Sequence, residues 1–120
     1  MQIHDALTIA DHAVSAAHDR PATAIISDST DARSLVFRID AGQTVPMHTS
    51  TSTVILSVMK GVGIISGPVN GVVEEREVGV GTIVTYEPNE SHGMRALTGT
   101  FVVVATIAPR PGTPRGIQPS

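Results

Sequence analysis

The chain has 120 residues and a mass of 12.5 kDa, which is the size of one domain, because a second hydrophobic core would leave each half near the limit of independent folding. Apolar residues make up 41% of the sequence and charged residues 16%, a balance typical of a compact globular protein rather than of a disordered chain. A net charge of -3 and an aromatic content of 2% supply neither a positive stripe nor stacking rings, so we expect no nucleic acid partner.

The absence of cysteine excludes disulfides, thiolate nucleophiles and thiolate metal ligands. No apolar run approaches the length of a membrane-spanning helix, and residues 1–12 carry acidic side chains where a signal peptide requires a positive region. We therefore expect a cytosolic protein without a membrane partner, in which any metal ion is held by histidine, carboxylate, hydroxyl or carbonyl groups. The excess of arginine over lysine is typical of a bacterial genome rich in G and C.

The first predicted element is one short helix. Between Asp5 and His18, apolar residues recur at spacings of three and four, which gives a helix one apolar face. Pro21 predicts its end, because the residue before a proline is biased away from helical backbone angles. Residues 1–22 are therefore assigned to this helix and a linker.

After Pro21 the sequence consists of short β-branched runs separated by glycine and proline. Eight such runs predict an all-β sandwich or barrel over residues 23–108. Among the turns, Asn70-Gly71 favours a two-residue hairpin, since a type I′ turn needs positive φ at both central positions. The predicted strands are residues 23–27, 34–40, 53–59, 62–66, 72–78, 82–86, 94–97 and 100–108.

The last predicted strand, residues 100–108, is apolar on both parities. This pattern favours a strand covered by the barrel interior on one face and by another layer or subunit on the other, and so it indicates a homodimer. The tail that follows, residues 109–120, is rich in proline and glycine. We expect the tail to have no fixed position unless a partner pins it.

The histidines are the obvious reactive groups. His4, His12 and His18 lie near the predicted helix without forming an i, i+4 pair, so a solvated helix surface explains them. His48 and His92 fall within the β region. These two residues are the candidates for a functional site.

The region around His48 resembles the first motif of the cupin superfamily, which is written G-x5-H-x-H-x3-E-x6-G. Gly42, His48 and Gly61 stand at the first glycine, the first histidine and the last glycine of this motif. Ser50 stands at the second histidine position and Val54 at the glutamate position.

The region around His92 resembles the second cupin motif, which is written G-x5-P-x-G-x2-H-x3-N. Gly81 and His92 stand at the first glycine and the histidine. The proline, second glycine and asparagine positions hold Glu87, Asn89 and Ala96.

The resemblance extends over about residues 35–107, and the spacing between the two motifs also fits the family. It implies a small, single-domain, RmlC-like cupin with degenerate metal motifs. The expected fold is all-β, an antiparallel double-stranded β-helix (jelly-roll) barrel with one short N-terminal helix. Small cupins of this kind commonly form homodimers.

The resemblance also implies which residues correspond to a metal site. In metal-binding cupins three histidines and one glutamate hold a divalent ion, and the matching positions here are His48, Ser50, Val54 and His92. Two of the four ligands are absent, and no acidic residue stands at the carboxylate position that a facial triad for iron requires. Glu90, which shares the parity of His92, is the candidate replacement for the carboxylate.

Three hypotheses about function remain open. The first is a small-molecule-binding or sensing cupin without redox chemistry, whose pocket is lined by the two histidines. The second is a metal-dependent enzyme of the oxygenase or isomerase type, in which His48 and His92 hold zinc, nickel, iron, manganese or copper. The third is a structural or interaction module with a filled pocket. The predicted ligand-binding residues are His48, Ser50, Ser52, Tyr86, His92 and, if its face of the strand is the barrel interior, Arg38.

Overall fold

The computed structural model of the protein describes residues 1–112, which form one helix and nine strands. The helix is α1 (Ala6–His12). Within these residues no helix is long and apolar enough to cross a membrane. The strands are β1 (Ala22–Asp28), β2 (Arg33–Ile39), β3 (Thr44–His48), β4 (Thr53–Lys60), β5 (Gly63–Val69), β6 (Val72–Val78), β7 (Ile83–Tyr86), β8 (His92–Ala96) and β9 (Phe101–Ala108).

The strands form two antiparallel sheets that pack face to face. One sheet has five strands in the order β1-β2-β9-β4-β7, and the other has four in the order β3-β8-β5-β6. Because each sheet has one inward face, inward side chains from both sheets build a single core. The fold is an all-β jelly roll preceded by one helix, as the sequence predicted.

The hydrophobic core fills the space between the sheets. Val54, Leu56 and Val58 point inward from β4 and are each 3% exposed, because alternate side chains of a strand face the same side. Phe101 joins them from β9, and Ile65 packs from the opposite sheet. Each fully buried side chain of this type contributes roughly 1.5 to 3 kcal/mol to the free energy of unfolding.

Strand β9 is buried on both faces, as its apolar pattern predicted. Its outward residue Val102 packs in a second cluster with Val36 of β2 and Ala10 of α1. All three side chains are almost completely buried. The layer that covers this part of the outer face is therefore helix α1.

Helix α1 is shorter than predicted. The expectation of a helix up to residue 18 was wrong, because Arg38 takes the carbonyl groups with which the helix would continue. Its Nη1 donates to the carbonyl oxygens of Ala10 at 2.6 Å, Asp11 at 3.3 Å and Ala13 at 3.2 Å. Val14, which belongs to the apolar periodicity of the sequence, is 83% exposed.

Strand β3 was absent from the sequence prediction. It contains Pro46, and proline argues against an interior strand because it cannot donate to the ladder. β3 is an edge strand that pairs only with β8, and Pro46 falls in a bulge between Val45 and His48. The bulge and the edge position explain why a strand tolerates proline here.

The hairpin between β5 and β6 has the predicted turn. Val69 pairs with Val72, so the loop has two residues. Asn70 has a φ of 51° and Gly71 a φ of 80°. Positive φ at both central positions is the requirement of a type I′ turn.

Candidate functional site

A cavity of about 200 Å³ lies between the two sheets, at the end where β3 finishes and β8 begins. Its walls come from β2, β3, β4, β8 and β9, from the loop after β3 and from the segment after β9. Among the described residues that line it, none is an aspartate, glutamate, lysine or arginine. The lining residues are Phe37, Val45, His48, Ser50, Val54, Leu56, His92, Gly93, Met94, Ala105, Ile107 and Pro111.

Strands β3 and β8 place the two histidines side by side. His48 pairs with His92 in the antiparallel ladder, and their ring centroids lie 4.2 Å apart in an edge-to-face arrangement. In the bulge next to this pair, Pro46 and Met47 oppose Gly93 alone. A Cβ atom on residue 93 would lie 3.1 Å from the carbonyl oxygen of Val45 and 3.3 Å from the backbone nitrogen of Met47. Glycine at this position therefore allows β3 to approach β8 closely enough to bring the two imidazoles together.

Both imidazoles are held by backbone groups two residues before them. His48 Nδ1 donates to the carbonyl oxygen of Pro46 at 2.9 Å, and His92 Nδ1 donates to the carbonyl oxygen of Glu90 at 3.1 Å. A carbonyl oxygen can only accept, so the hydrogen of each neutral ring is on Nδ1 and the lone pair is on Nε2. The pair therefore supplies two hydrogen-bond acceptors to a cavity that is otherwise largely apolar.

His92 is the more buried of the two, at 7% exposure. Its ring lies between that of His48 and that of Tyr86, whose centroid is 4.9 Å away. Burial lowers the pKa of His92 below its ordinary value of 6.5, the charge of His48 acts in the same direction, and the hydrogen bond to the Glu90 carbonyl opposes both. His92 is therefore neutral at pH 7.

Tyr86 contacts the ring of His92 and is itself held by a hydrogen bond. Its hydroxyl group donates to the carbonyl oxygen of Ser66 at 2.8 Å. Burial, aided by the charge of Glu90, raises the pKa of Tyr86 to about 12. Tyr86 is not among the residues that line the cavity, so its contact with the site is through the ring of His92.

The two predicted serines differ in position. Ser50 lines the cavity, and its hydroxyl oxygen accepts a hydrogen bond from the Ser52 backbone N–H at 3.1 Å. Ser52 is buried, and its hydroxyl group donates to the carbonyl oxygen of Pro109 at 2.7 Å. Ser52 therefore ties the segment after β9 to the loop after β3 and does not line the cavity.

The fold with this site is similar to that of solved proteins, although no protein-family model and no curated protein matches the sequence. A conserved protein with a double-stranded beta-helix domain from Klebsiella pneumoniae is 21% identical at a TM-score of 0.74, over 91% of this chain and 90% of that chain. An RmlC-like cupin protein from Desulfovibrio desulfuricans is 26% identical at a TM-score of 0.73, over 92% and 98%. The chain has the double-stranded β-helix fold of the small RmlC-like cupins. The DMSP lyase DddQ from Ruegeria pomeroyi is 19% identical at a TM-score of 0.67, over 82% of this chain and 53% of that chain.

Two predicted residues lie outside the cavity. Arg38 is on the outer face of β2, where it caps α1, and its Nε lies 3.6 Å from a carboxylate oxygen of Asp40. It is therefore not a ligand-binding residue of this cavity. The Glu90 carboxylate accepts a hydrogen bond from the Glu87 backbone N–H at 2.7 Å, so it closes the turn before β8 instead of replacing the missing metal ligand.

The described residues of the site supply an incomplete set of metal ligands. Within residues 1–112, no group of three or more histidine, cysteine, aspartate or glutamate side chains is arranged to hold a metal ion. A catalytic zinc site uses three protein ligands, and a facial iron triad needs a carboxylate. Two imidazoles with a serine hydroxyl do not fit either requirement.

Several cavity residues were not predicted as site residues. Phe37, Met94 and Ile107 provide apolar walls. Strand parity could have identified them, because each lies two positions from a core residue and so faces the same side of its strand. Pro111 had no such signal, since it lies in the segment predicted to lack a fixed position. The rest of that segment, residues 113–120, is outside the described residues.

Proposed function

We propose that this cupin binds a small, uncharged and largely apolar molecule in the cavity beside His48 and His92. The observation that supports this proposal is that the described lining is mostly aliphatic and contains two imidazoles whose Nδ1 atoms are already bonded to backbone carbonyl oxygens. The two Nε2 atoms then act as acceptors that orient a ligand, as the few polar groups of an apolar pocket usually do.

The lining restricts the chemistry of the ligand. The described lining residues include no lysine or arginine that could pair with an ionised carboxylate or phosphate, and burying an unpaired charge is strongly unfavourable. A hydroxyl group satisfies Nε2 by donating a hydrogen bond. The favoured class is therefore a small phenol or alcohol whose apolar part contacts the aliphatic walls, and its recognition fits a binding or sensing role.

The test is a binding screen on untagged protein with neutral phenols and alcohols, compared with carboxylates of matched shape. We expect saturable binding of the neutral compounds, measured by NMR shifts of residues around the cavity. His92→Ala should weaken this binding about tenfold, because a hydrogen bond to a buried acceptor is lost. His4→Ala is the matched control, since His4 is an exposed histidine far from the cavity in sequence and absent from its lining. Absence of binding, or equal effects of the two variants, would refute the proposal.

A metal-dependent enzyme is the second candidate, and one observation favours it. Metal-ligating histidines usually donate the other ring N–H to a backbone carbonyl or a carboxylate, as His48 and His92 do here. Elemental analysis of protein purified without chelator separates the two candidates. Near-stoichiometric metal that disappears in both His48→Ala and His92→Ala favours the enzyme, whereas metal far below one per chain, unchanged after soaking in divalent ions, favours the metal-free pocket.

A further inference from the structure

The segment that follows β9 contributes to the wall of the cavity. Residues 109–111, which we call the strap, leave the sheet after Ala108, and Pro111 is one of the lining residues. β9 is the central strand of the five-stranded sheet, with β2 and β1 on one side and β4 on the other. The strap therefore has anchoring points available on both sides of the strand from which it emerges.

The strap is anchored on both sides of β9. On the β4 side, the buried hydroxyl group of Ser52 donates to the carbonyl oxygen of Pro109 at 2.7 Å. On the β1 side, Arg110 donates from Nε and Nη2 to the two carboxylate oxygens of Asp28, at 2.7 Å and 3.1 Å. Two parallel charge-assisted bonds between a guanidinium and a carboxylate fix orientation as well as distance.

Asp28 is well placed to hold the strap. It ends strand β1, which is part of the sheet, and it also accepts a hydrogen bond from Arg33 at 3.2 Å. The hydrogen bonds from Arg110 and Arg33 lower the pKa of Asp28 to about 2. The carboxylate therefore stays ionised and paired throughout the neutral range.

We propose that the strap is a latched wall of the ligand pocket, in which the Arg110–Asp28 ion pair controls access to the cavity and Pro111 limits the size of the ligand that enters. Among the described lining residues, those of the strap alone belong neither to the barrel nor to a loop between two strands. Since an exposed ion pair is weak, the strap can open without unfolding the barrel. This inference concerns the pocket of the proposed function, but its test needs no ligand, so the two proposals can fail separately.

The test uses cysteine labelling, because the chain has no cysteine of its own. Ala105→Cys places a single thiol on the cavity wall at a position that is 2% exposed. Ala96→Cys is the matched reporter, since Ala96 is 7% exposed in the same core but does not line the cavity. Both are labelled with N-ethylmaleimide, which is neutral. The first thiol reports access through the mouth, and the second reports unfolding of the barrel.

Adding Arg110→Gln should raise the labelling rate of Ala105→Cys about fivefold, because loss of one exposed ion pair changes an equilibrium by about this factor. The labelling rate of Ala96→Cys should stay unchanged. Arg76→Gln is the control, because it breaks the exposed Arg76–Glu74 pair, which is remote from the strap in the fold. An unchanged rate in Arg110→Gln, or an equal rise for both thiols, would overturn the proposal.

One further measurement keeps the latch testable if Ala105→Cys fails to fold, and a second, made on Ala105→Cys, tests the size limit. In the otherwise unchanged protein, Arg110→Gln should increase the fast backbone motion of the Gly112 amide by NMR relaxation, and unchanged motion would count against a latch. With the thiol in place, Pro111→Gly should raise the rate of N-phenylmaleimide relative to N-ethylmaleimide. An unchanged ratio would show that Pro111 does not limit size.

Discussion

The environment of His92 differs strongly from that of a free histidine. The ring lies between two other rings, its Nδ1 is bonded to a carbonyl oxygen, and burial disfavours its cationic form. The same features make Nε2 an acceptor at neutral pH. Binding and stability therefore depend on one protonation equilibrium.

We expect the stability of the protein to fall as the pH drops below 6.5. The pKa of His92 is lowered in the folded state, so below its ordinary value of 6.5 the unfolded chain binds more protons than the folded one. The stabilisation is fully present above pH 6.5 and is lost as the pH falls toward the lowered folded pKa. Urea unfolding between pH 7.5 and 5.5 measures the slope, which should be shallower in His92→Gln. An equally shallow slope in His4→Gln would show that His92 is not the source of the pH dependence of stability.

Gly63 illustrates a second constraint at this scale, that of space. A Cβ atom on residue 63 would overlap the ring of Phe101, a side chain with no exposed surface. A packed core cannot move such a ring without disturbing its neighbours.

Gly63→Ala should therefore lower the free energy of unfolding by about 1 to 3 kcal/mol, the usual cost of overpacking. Gly79→Ala is the matched control, because a Cβ atom there would have no atom within 4 Å. Urea unfolding of both variants is the measurement. A cost for Gly79→Ala as large as that for Gly63→Ala would contradict the explanation.

Among the elements, α1 depends most clearly on tertiary contacts. Asp5 accepts hydrogen bonds from the Leu7 and Thr8 backbone N–H groups and so caps the start of the helix. Seven residues are nevertheless too few for an isolated helix to be stable in water. Its persistence rests on Ala10, which is packed against β2 and β9, and on Arg38, which binds the last carbonyl groups.

Arg38→Met should release the end of α1 and lower the free energy of unfolding by about 1 to 3 kcal/mol, because hydrogen bonds to a charged group are lost. Amide hydrogen exchange should show loss of protection in α1 while the barrel strands stay protected. The control is Arg76→Met, whose side chain is 63% exposed and whose loss should change stability by less than about 0.5 kcal/mol. Retained protection in α1 would contradict this role of Arg38.

For the molecule as a whole, the outer face of the five-stranded sheet is only partly covered. Helix α1 covers Val102 and Val36, and Val104 lies at the margin of this cluster. Ile55 and Ile83 lie beyond it, and Ile83 is 60% exposed. The homodimer expected from the sequence stays a prediction, and this surface is where we place it. The cytosolic location also stays a prediction.

A dimer would have about twice the mass of 12.5 kDa, which sedimentation equilibrium measures directly. Ile83→Asp should reduce the mass to that of one chain, since a buried charge at an apolar contact is costly. Val72→Asp is the control, because Val72 is 65% exposed at the distant hairpin between β5 and β6. A wild-type mass of one chain would refute the dimer.

The sequence by itself was sufficient for the features that depend on local pattern. The apolar pattern of β9 predicted a strand buried on both faces, and positive φ at Asn70 and Gly71 followed from residue type. His48 and His92 were identified by their spacing from glycines and share the cavity as expected. The strand pattern alone predicted a sandwich or barrel, and the resemblance to the cupin motifs implied the jelly roll.

Tertiary structure decided the features that depend on residues distant in the chain. The end of α1 is set by Arg38 on β2, so helical periodicity alone overestimated its length. The wall formed by Pro111 depends on Arg110 meeting Asp28, 82 residues earlier. A local pattern can predict an element because its energy comes from neighbouring residues, whereas a cap or a latch takes its energy from a partner that only the folded chain brings within reach.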